Sequence, residues 1–271
     1  SATFDVYPGQ YTFVETAKEG WIETANTCHN VTVEKCNDKK CTNAATCTIT
    51  NTQASTLTIV KHAEQVSDTA FNFTAKGTGL SNFSLVDNDA NNDPKKVFTN
   101  LLPGNYSVTE DTKDGWDLKS AVCDNGQAPN ALNLTAGSNV TCTFTNTQRG
   151  SLTIVKKALP FGTDSFGFTL TGKGVKEEFN LVDNSDTEDA SETFSLKAGT
   201  YAVAEDDYSD DWKTTYSCTG NNTIDNIVLE AGKSVTCTFT NTKYGSISGR
   251  KLHDLDGLAS TTKDRKPVSG Y

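Results

Sequence analysis

The chain has 271 residues and a formal net charge of −10, with 35% hydrophobic and 9% aromatic residues. No run approaches the roughly 18 apolar residues that a membrane-spanning helix needs, and the acidic balance disfavours binding to nucleic-acid phosphates. These properties exclude a protein with membrane-spanning helices and a basic nucleic-acid binder. Because the sequence contains no Met, we expect it to be a processed product or a piece of a longer polypeptide.

Sequence markers recur along the chain at intervals of about 95 residues. The segment Leu57–Lys61 returns as Leu152–Lys156, and the segment Cys47–Thr52 returns as Cys142–Thr147 and again as Cys237–Thr242. Internal similarity at a fixed period is the signature of tandem domains. The sequence therefore predicts a repeat protein.

The register of the repeat divides the chain into four predicted segments. They are the C-terminal half of one unit (1–53), two complete units (54–148 and 149–243) and the first strands of a further unit (244–271). The open ends have two possible explanations. Either a longer tandem array is cut at both ends, or the last strand of one molecule completes the leading half-unit of a neighbouring molecule.

Within a unit the hydrophobic pattern has a period of two, which is typical of β-strands. Turn signals such as Pro103-Gly104 and Asp114-Gly115 separate these runs. About seven short strands in each unit, with no helical pattern, indicate the immunoglobulin-like architecture. We therefore predict an all-β chain of tandem immunoglobulin-like β-sandwiches.

Three polar residues of each complete unit fall on the inward phase of the predicted strands. If Leu57 and Ile59 face the core, Lys61 faces it too, and the same alternation directs Glu110 and Asn146 inward. The corresponding residues of the second complete unit are Lys156, Glu205 and Asn241. We therefore expect a lysine, a glutamate and an asparagine in each core.

Burial favours the neutral forms of these side chains, because desolvation lowers the pKa of a lysine and raises that of a glutamate. A neutral amine is a nucleophile, and a protonated carboxyl group can polarise a carboxamide. The pattern predicts one reaction per unit, in which the lysine attacks the asparagine side chain, ammonia leaves and an isopeptide bond forms. The alternative is a lysine that extends to solvent and pairs with the glutamate, while the asparagine caps a turn. Recurrence of the three residue types at the same offsets favours the cross-link.

These motifs resemble those of a known family. A Lys near the end of the first strand, a Gly-x-Tyr-x-Val-x-Glu box and a terminal Phe-Thr-Asn-Thr are similar to the collagen-adhesin B-type domain, the prealbumin-like (SpaA-like) sandwich of bacterial pilins and adhesin stalks. The resemblance implies two intramolecular bonds, each with an acidic catalyst: Lys61–Asn146 with Glu110, and Lys156–Asn241 with Glu205.

The leading half-unit contains the matching Asn51 and Glu15 and would need a lysine from elsewhere. Lys251 lies 95 residues after Lys156 and is the equivalent residue, available only to a following or neighbouring unit. The tail that contains Lys251 resembles the opening of the B repeats of serine-aspartate-repeat adhesins, and such openings often bind calcium.

Two acidic runs carry part of a calcium-binding pattern. Asp254 and Asp256 match it in the tail, and Asp87 and Asp89 alternate in the run 87–93. The second run lacks the Gly and the distal Glu of an EF-hand loop. We therefore expect a solvated acidic loop at 87–93 and no cofactor, with calcium as the alternative.

Six of the eight cysteines form three pairs with a constant separation of 19 residues: Cys28 and Cys47, Cys123 and Cys142, and Cys218 and Cys237. Cys36 and Cys41 are an additional pair. The even number and the absence of Cys-x-x-Cys spacing favour disulfides formed in an oxidising compartment over a zinc site. Free buried thiols are the alternative.

These features predict a structural, extracellular protein of the cell surface, a stiff stalk or pilus-like fibre. A bond between first and last strands would let tension bypass the hydrogen bonds of each sandwich, which contribute only about 1 kcal/mol each. We expect copies of the chain or further repeats as partners, and a host or matrix ligand of unknown nature. The alternative function is a ligand-binding adhesin module, and we do not expect an enzyme with turnover.

Overall fold

The structure is a computed structural model that describes residues 1–35, 44–249, 252–253 and 266–267. Across these ranges the chain contains no helix, and so none that is long and apolar enough to cross a membrane. The described residues divide into two compact units. The first comprises Ser1–Ser151, Ser195–Ala198 and Leu229–Ser234, and the second comprises Leu152–Phe194, Gly199–Val228 and the residues from Val235 onward.

The leading segment forms four short strands: β1 (Gly9–Tyr11), β2 (Trp21–Asn26), β3 (Val31–Val33) and β4 (Ile49–Gln53). Strand β1 pairs with β3 and β2 pairs with β4, both antiparallel. Large apolar side chains in this segment are exposed, including Tyr7 at 87% and Val14 at 84%. Among the described residues of this segment, Cys28 is the only buried apolar residue, whereas each complete repeat has an extended buried core.

The first complete repeat has eight strands, one more than the seven or so expected from the sequence. They are β5 (Ser55–Ala63), β6 (Ala70–Lys76), β7 (Phe83–Val86), β8 (Lys95–Leu101), β9 (Gly104–Glu110), β10 (Trp116–Cys123), β11 (Leu132–Leu134) and β12 (Asn139–Gln148). They form two four-stranded sheets, in the orders β10-β12-β5-β8 and β11-β9-β6-β7. The sheets share one apolar core.

The second complete repeat has the same sheet architecture. Its strands are β13 (Gly150–Leu159), β14 (Phe166–Gly172), β15 (Val175–Leu181), β16 (Ala190–Leu196), β17 (Gly199–Glu205), β18 (Trp212–Cys218), β19 (Ile227–Leu229) and β20 (Ser234–Lys243). The sheet orders are β16-β13-β20-β18 and β15-β14-β17-β19, equivalent to those of the first repeat. Two further short strands, β21 (Leu252–His253) and β22 (Lys266–Pro267), pair with each other. The prediction of tandem all-β sandwiches is confirmed.

Strand β5 explains how the site residues reach the interior. Its odd-numbered residues, from Ser55 to Ala63, are all buried, while the even-numbered ones are half-buried. It runs parallel to β12, with Lys61 opposite Phe144 and Ala63 opposite Asn146. The first and last strands of the repeat are therefore neighbours, and Lys61 and Asn146 are diagonal neighbours across them.

Each repeat has a disulfide at the last strand. Cys123 of β10 lies directly opposite Cys142 of β12 and is bonded to it, as Cys218 of β18 is to Cys237 of β20. In the leading segment Cys28 is bonded to Cys47. The additional cysteines, Cys36 and Cys41, lie outside the described residues.

We expect removal of the first repeat's disulfide to destabilise that repeat. The bond closes a segment of 19 residues, and in the chain-entropy model a loop of that size contributes about 3 kcal/mol. The Cys123→Ala/Cys142→Ala variant should therefore lose up to about 3 kcal/mol of unfolding free energy in a urea titration. Fully reduced wild-type protein lacks the bond but keeps the sulfur atoms, so it serves as the control for the cavity that the alanine substitutions leave. Equal stability of the oxidised wild type and the variant would contradict the prediction.

Candidate functional site

The amine of Lys61 lies in the core of the first complete repeat. Lys61 is the fourth inward residue of β5 and is fully buried. Its Nζ lies 4.0 Å from the centre of the Phe71 ring and donates a hydrogen bond to the carbonyl oxygen of His62, at 3.0 Å. The ring blocks access of water from one side, so the lysine does not extend to solvent.

Lys61, Asn146 and Glu110 form a continuous chain of hydrogen bonds. Lys61 Nζ donates to Asn146 Oδ1 at 3.0 Å, and Asn146 Nδ2 donates to Glu110 Oε1 at 2.5 Å. Glu110 ends β9 in the opposite sheet, where it pairs with Phe73. The structure thus brings together an amine, a carboxamide and a carboxyl group from three strands and both sheets.

Burial shifts the ionisation of this group towards neutral forms. Desolvation lowers the pKa of Lys61 to about 8, although Glu110, Asp87 and Asp93 oppose the decrease. Desolvation also raises the pKa of Glu110, against the hydrogen bond from Asn146 and the charge of Lys61. Both shifts increase the fraction of each group that is in the neutral form needed for attack on the carboxamide.

The second complete repeat places the equivalent residues together with different contacts. Lys156 Nζ lies 3.9 Å from the centre of the Phe166 ring and 3.7 Å from Glu205 Oε1. Lys156 and Asn241 are fully buried, and neither amide atom of Asn241 has a hydrogen bond of normal geometry. Desolvation again lowers the pKa of the lysine and raises that of the glutamate. Here the lysine forms an ion pair with the acid, and no hydrogen bond of normal geometry joins it to the carboxamide.

In the leading segment, two of the three residues predicted for a cross-link lie together. Asn51 Nδ2 donates a hydrogen bond to Glu15 Oε2 at 2.6 Å. Asn51 is half-buried and Glu15 is exposed. The lysine proposed for this segment, Lys251, lies outside the described residues.

The expectation of a solvated acidic loop at 87–93 is wrong for its first residue. Asp87 is 1% exposed, and its Oδ2 accepts a hydrogen bond from the backbone N–H of Ala63 at 2.6 Å. Its burial continues the inward phase of Phe83 and Leu85 on β7, a signal that was present in the sequence. Asp89 is exposed, and its Oδ1 accepts from the backbone N–H of Asn91.

The same arrangement recurs in the second repeat, where the buried Asp183 accepts from the backbone N–H of Ala158. These aspartates fix the end of each first strand next to the lysine. The other acidic pair considered for calcium, Asp254 and Asp256, lies outside the described residues.

Comparison with protein families matches both complete repeats. A family model described as a prealbumin-like fold domain matches residues 57–148 and again residues 152–243. The two matches cover most of the chain and confirm the prealbumin-like resemblance seen in the sequence motifs. No curated protein sequence matches the chain significantly.

Solved structures with local similarity include pilus proteins. A major pilin from Streptococcus pyogenes shares 18% identity over 70% of this chain and 97% of its own, with a TM-score of 0.29. A streptococcal ancillary pilin shares 14% identity over 88% and 81%, with a TM-score of 0.30. The pilus adhesin SpaC from Lactobacillus rhamnosus GG shares 16% identity over 73% and 32%, with a TM-score of 0.29. At these values the similarities support no inference about function.

We expect the buried Lys156 to make stability depend on pH when the carboxamide is removed. In Asn241→Ala no cross-link can form, and desolvation keeps the folded-state pKa of Lys156 below its ordinary 10.5, although Glu205 and Asp183 oppose the decrease. Between these two values the unfolded state binds more protons, so the free energy of unfolding should rise as the pH increases towards 10.5.

Chemical unfolding at a series of pH values measures this slope. The matched control is Lys156→Met/Asn241→Ala, which retains the other titrating groups and should show a smaller slope. Identical slopes in the two variants would show that Lys156 does not titrate abnormally in the folded state.

Proposed function

The chain belongs to the prealbumin-like fold domain family, and we propose that each complete repeat locks itself with an isopeptide bond, so that the chain forms a tension-resistant segment of an extracellular stalk or fibre. The observation that carries this proposal is the 3.0 Å contact between Lys61 Nζ and Asn146 Oδ1 in a buried core. Glu110 accepts a hydrogen bond from the amide nitrogen that would leave.

The reaction uses groups that are already in contact. The lone pair of neutral Lys61 Nζ attacks Asn146 Cγ, and a carbon–nitrogen bond forms between them. Glu110 carries a proton from the attacking nitrogen to Nδ2, the Cγ–Nδ2 bond breaks, and ammonia leaves. Because the reacting groups are held by folding, the step is effectively unimolecular, and it occurs once per repeat.

Burial supplies the driving force for neutralisation. An unpaired charge in an apolar core costs several kcal/mol, and the amine of Lys61 lies against the face of Phe71. An amide between the two side chains is uncharged and retains a donor and an acceptor. The product therefore removes the ionisable amine from the core.

The second repeat supports the same chemistry through its unsatisfied groups. The amide nitrogen and oxygen of Asn241 are buried without a hydrogen bond of normal geometry, and a buried polar group that lacks a partner typically costs about 1–3 kcal/mol. Lys156 Nζ and Glu205 Oε1 lie at ion-pair distance, 3.7 Å apart. Reaction of Lys156 with Asn241 consumes one unsatisfied donor and leaves a neutral pair.

The position of the bond determines how the repeat would carry tension. Force that enters along β5 reaches Lys61, crosses to Asn146 and leaves along the end of β12, two strands that are adjacent and parallel. The intervening segment, including the Cys123–Cys142 disulfide, lies outside this path. A pulled repeat would then transmit force through covalent bonds.

The three disulfides support an oxidising, extracellular setting such as a cell surface. The proposed partners are copies of the chain or further repeats of the same polypeptide. The hydrogen-bonded Asn51 and Glu15 would accept a lysine-bearing strand from such a partner, with Lys251 as the equivalent residue.

Intact mass tests the proposal directly. Each isopeptide bond removes one ammonia, about 17 Da, so the reduced and denatured chain should weigh about 34 Da less than its sequence mass. Lys61→Met should halve this deficit, because only the second repeat can react, and Lys61→Met/Lys156→Met should abolish it. Peptide mapping should recover a branched fragment that joins the peptides of Lys61 and Asn146.

The matched control is Lys157→Met, which removes the lysine next to Lys156 and should leave the deficit unchanged. Glu110→Gln should slow the reaction in the first repeat and leave uncross-linked material. A wild-type mass equal to the sequence mass would refute the cross-link, whatever the fold.

Single-molecule stretching tests the mechanical part. Lys61 and Asn146 are 85 residues apart, and a chain of that length extends by roughly 300 Å at 3.3–3.6 Å per residue. In reducing buffer, Lys61→Met should show an extension of this size that the wild type lacks. A step of the same length in the wild type would exclude a covalent bypass.

A further inference from the structure

A group of potential metal ligands lies at the edge of the first complete repeat, outside the cross-linking site. It consists of His62, Asp87 and Asp93. Each residue offers one ligand atom, and these three atoms all lie within 4.8 Å of one another. His62 follows Lys61 on β5, and the two aspartates bound the loop between β7 and β8. His62 Nδ1 lies 3.0 Å from Asp93 Oδ1. These three groups are close enough to share one ligand.

The buried member of the group lacks a full set of partners. Asp87 is 1% exposed, and while its Oδ2 accepts a hydrogen bond from the N–H of Ala63, its Oδ1 is buried without any hydrogen bond. A buried carboxylate oxygen without a donor is costly. A cation bound beside Asp87 would satisfy it.

The second repeat provides an internal comparison. Asp183 and Asp189 occupy the places of Asp87 and Asp93, and Lys157 occupies the place of His62, with its Nζ 3.7 Å from Asp189 Oδ1. Asp183 Oδ1, like Asp87 Oδ1, is buried without a hydrogen bond, so the repeats differ in the group beside the outer aspartate, which in the second repeat is a permanent cation. The first repeat instead carries an imidazole, which can donate a nitrogen lone pair to a metal ion, whereas an ammonium group cannot.

We propose that His62, Asp87 and Asp93 form a site for a divalent transition-metal ion of the zinc type. One imidazole nitrogen and two carboxylate oxygens are a ligand set that such ions accept. Ligand atoms on one zinc ion, bound at about 2.0–2.2 Å, lie roughly 3–4 Å apart, so small rotations of the ligand side chains are sufficient. Calcium prefers six to eight oxygen ligands and fits this set poorly.

The site is open on one side. The side chains of His62 and Asp93 are 44% and 39% exposed, which leaves room for water to complete the coordination. This inference is independent of the isopeptide proposal, because none of the three ligands takes part in the cross-link.

Zinc titration of the chelator-treated full chain tests the site. Isothermal titration calorimetry should show one bound Zn²⁺ per chain and no comparable binding of Ca²⁺. His62→Lys, which copies the second repeat, should keep the fold and lose this binding. Asp93→Asn should weaken the affinity by at least about tenfold, since loss of a ligand costs no less than loss of an outer-shell partner.

Two further variants separate this site from other histidines and from nonspecific binding. His29→Gln removes an exposed histidine of the leading segment and should bind zinc as the wild type does. Lys157→His should raise the stoichiometry from one to two. The proposal is overturned if the wild type does not bind zinc, if His62→Lys binds it with unchanged affinity, or if Lys157→His gains no site. Circular dichroism of each variant establishes that the fold is retained.

Discussion

Burial of a lysine amine between the first and last strands of each sandwich is the constraint on which the rest of the structure depends. An ammonium group in this position has an aromatic ring, Phe71 or Phe166, against it. The free-energy cost of desolvation must be met by neutralisation, by a buried acid, or by both. Each repeat provides the acid from the opposite sheet, and this requirement joins the two sheets at one point.

The two complete repeats show how one scaffold can hold different local contacts. In the first, Asn146 bridges the lysine and the glutamate, whereas in the second Lys156 forms an ion pair with Glu205, and Asn241 has no hydrogen bond of normal geometry. A second difference lies one residue beyond the lysine, where His62 and Lys157 face equivalent aspartates. The two repeats thus keep the same buried lysine and asparagine while the residue after the lysine differs.

The disulfide and the proposed isopeptide bond of the first repeat both involve the last strand. Strand β12 carries the disulfide at Cys142 and the carboxamide at Asn146, and it lies between β5 and β10. The disulfide attaches β12 to β10 on one side, and the proposed isopeptide bond would attach it to the first strand on the other. The fold itself permits many functions, so the mechanical proposal rests on these particular residues.

Markers that recur every 95 residues predicted the tandem arrangement. Alternation predicted the β-sandwiches and the inward phase of Lys61, Glu110 and Asn146, because side-chain direction along a strand is a local property with a period of two. The same rule applied to β7 would have shown that Asp87 is buried, but its position in an acidic run suggested a solvated loop. Strand number was underestimated because short edge strands carry little periodic signal.

Only the tertiary structure decided which of these residues meet. The parallel pairing of β5 with β12 and the approach of β9 from the other sheet bring the amine, the carboxamide and the acid into contact. The loop that begins at Asp87 folds so that Asp87 and Asp93 lie close to His62. These contacts depend on how sheets pack and loops fold over long sequence distances, which no local pattern encodes.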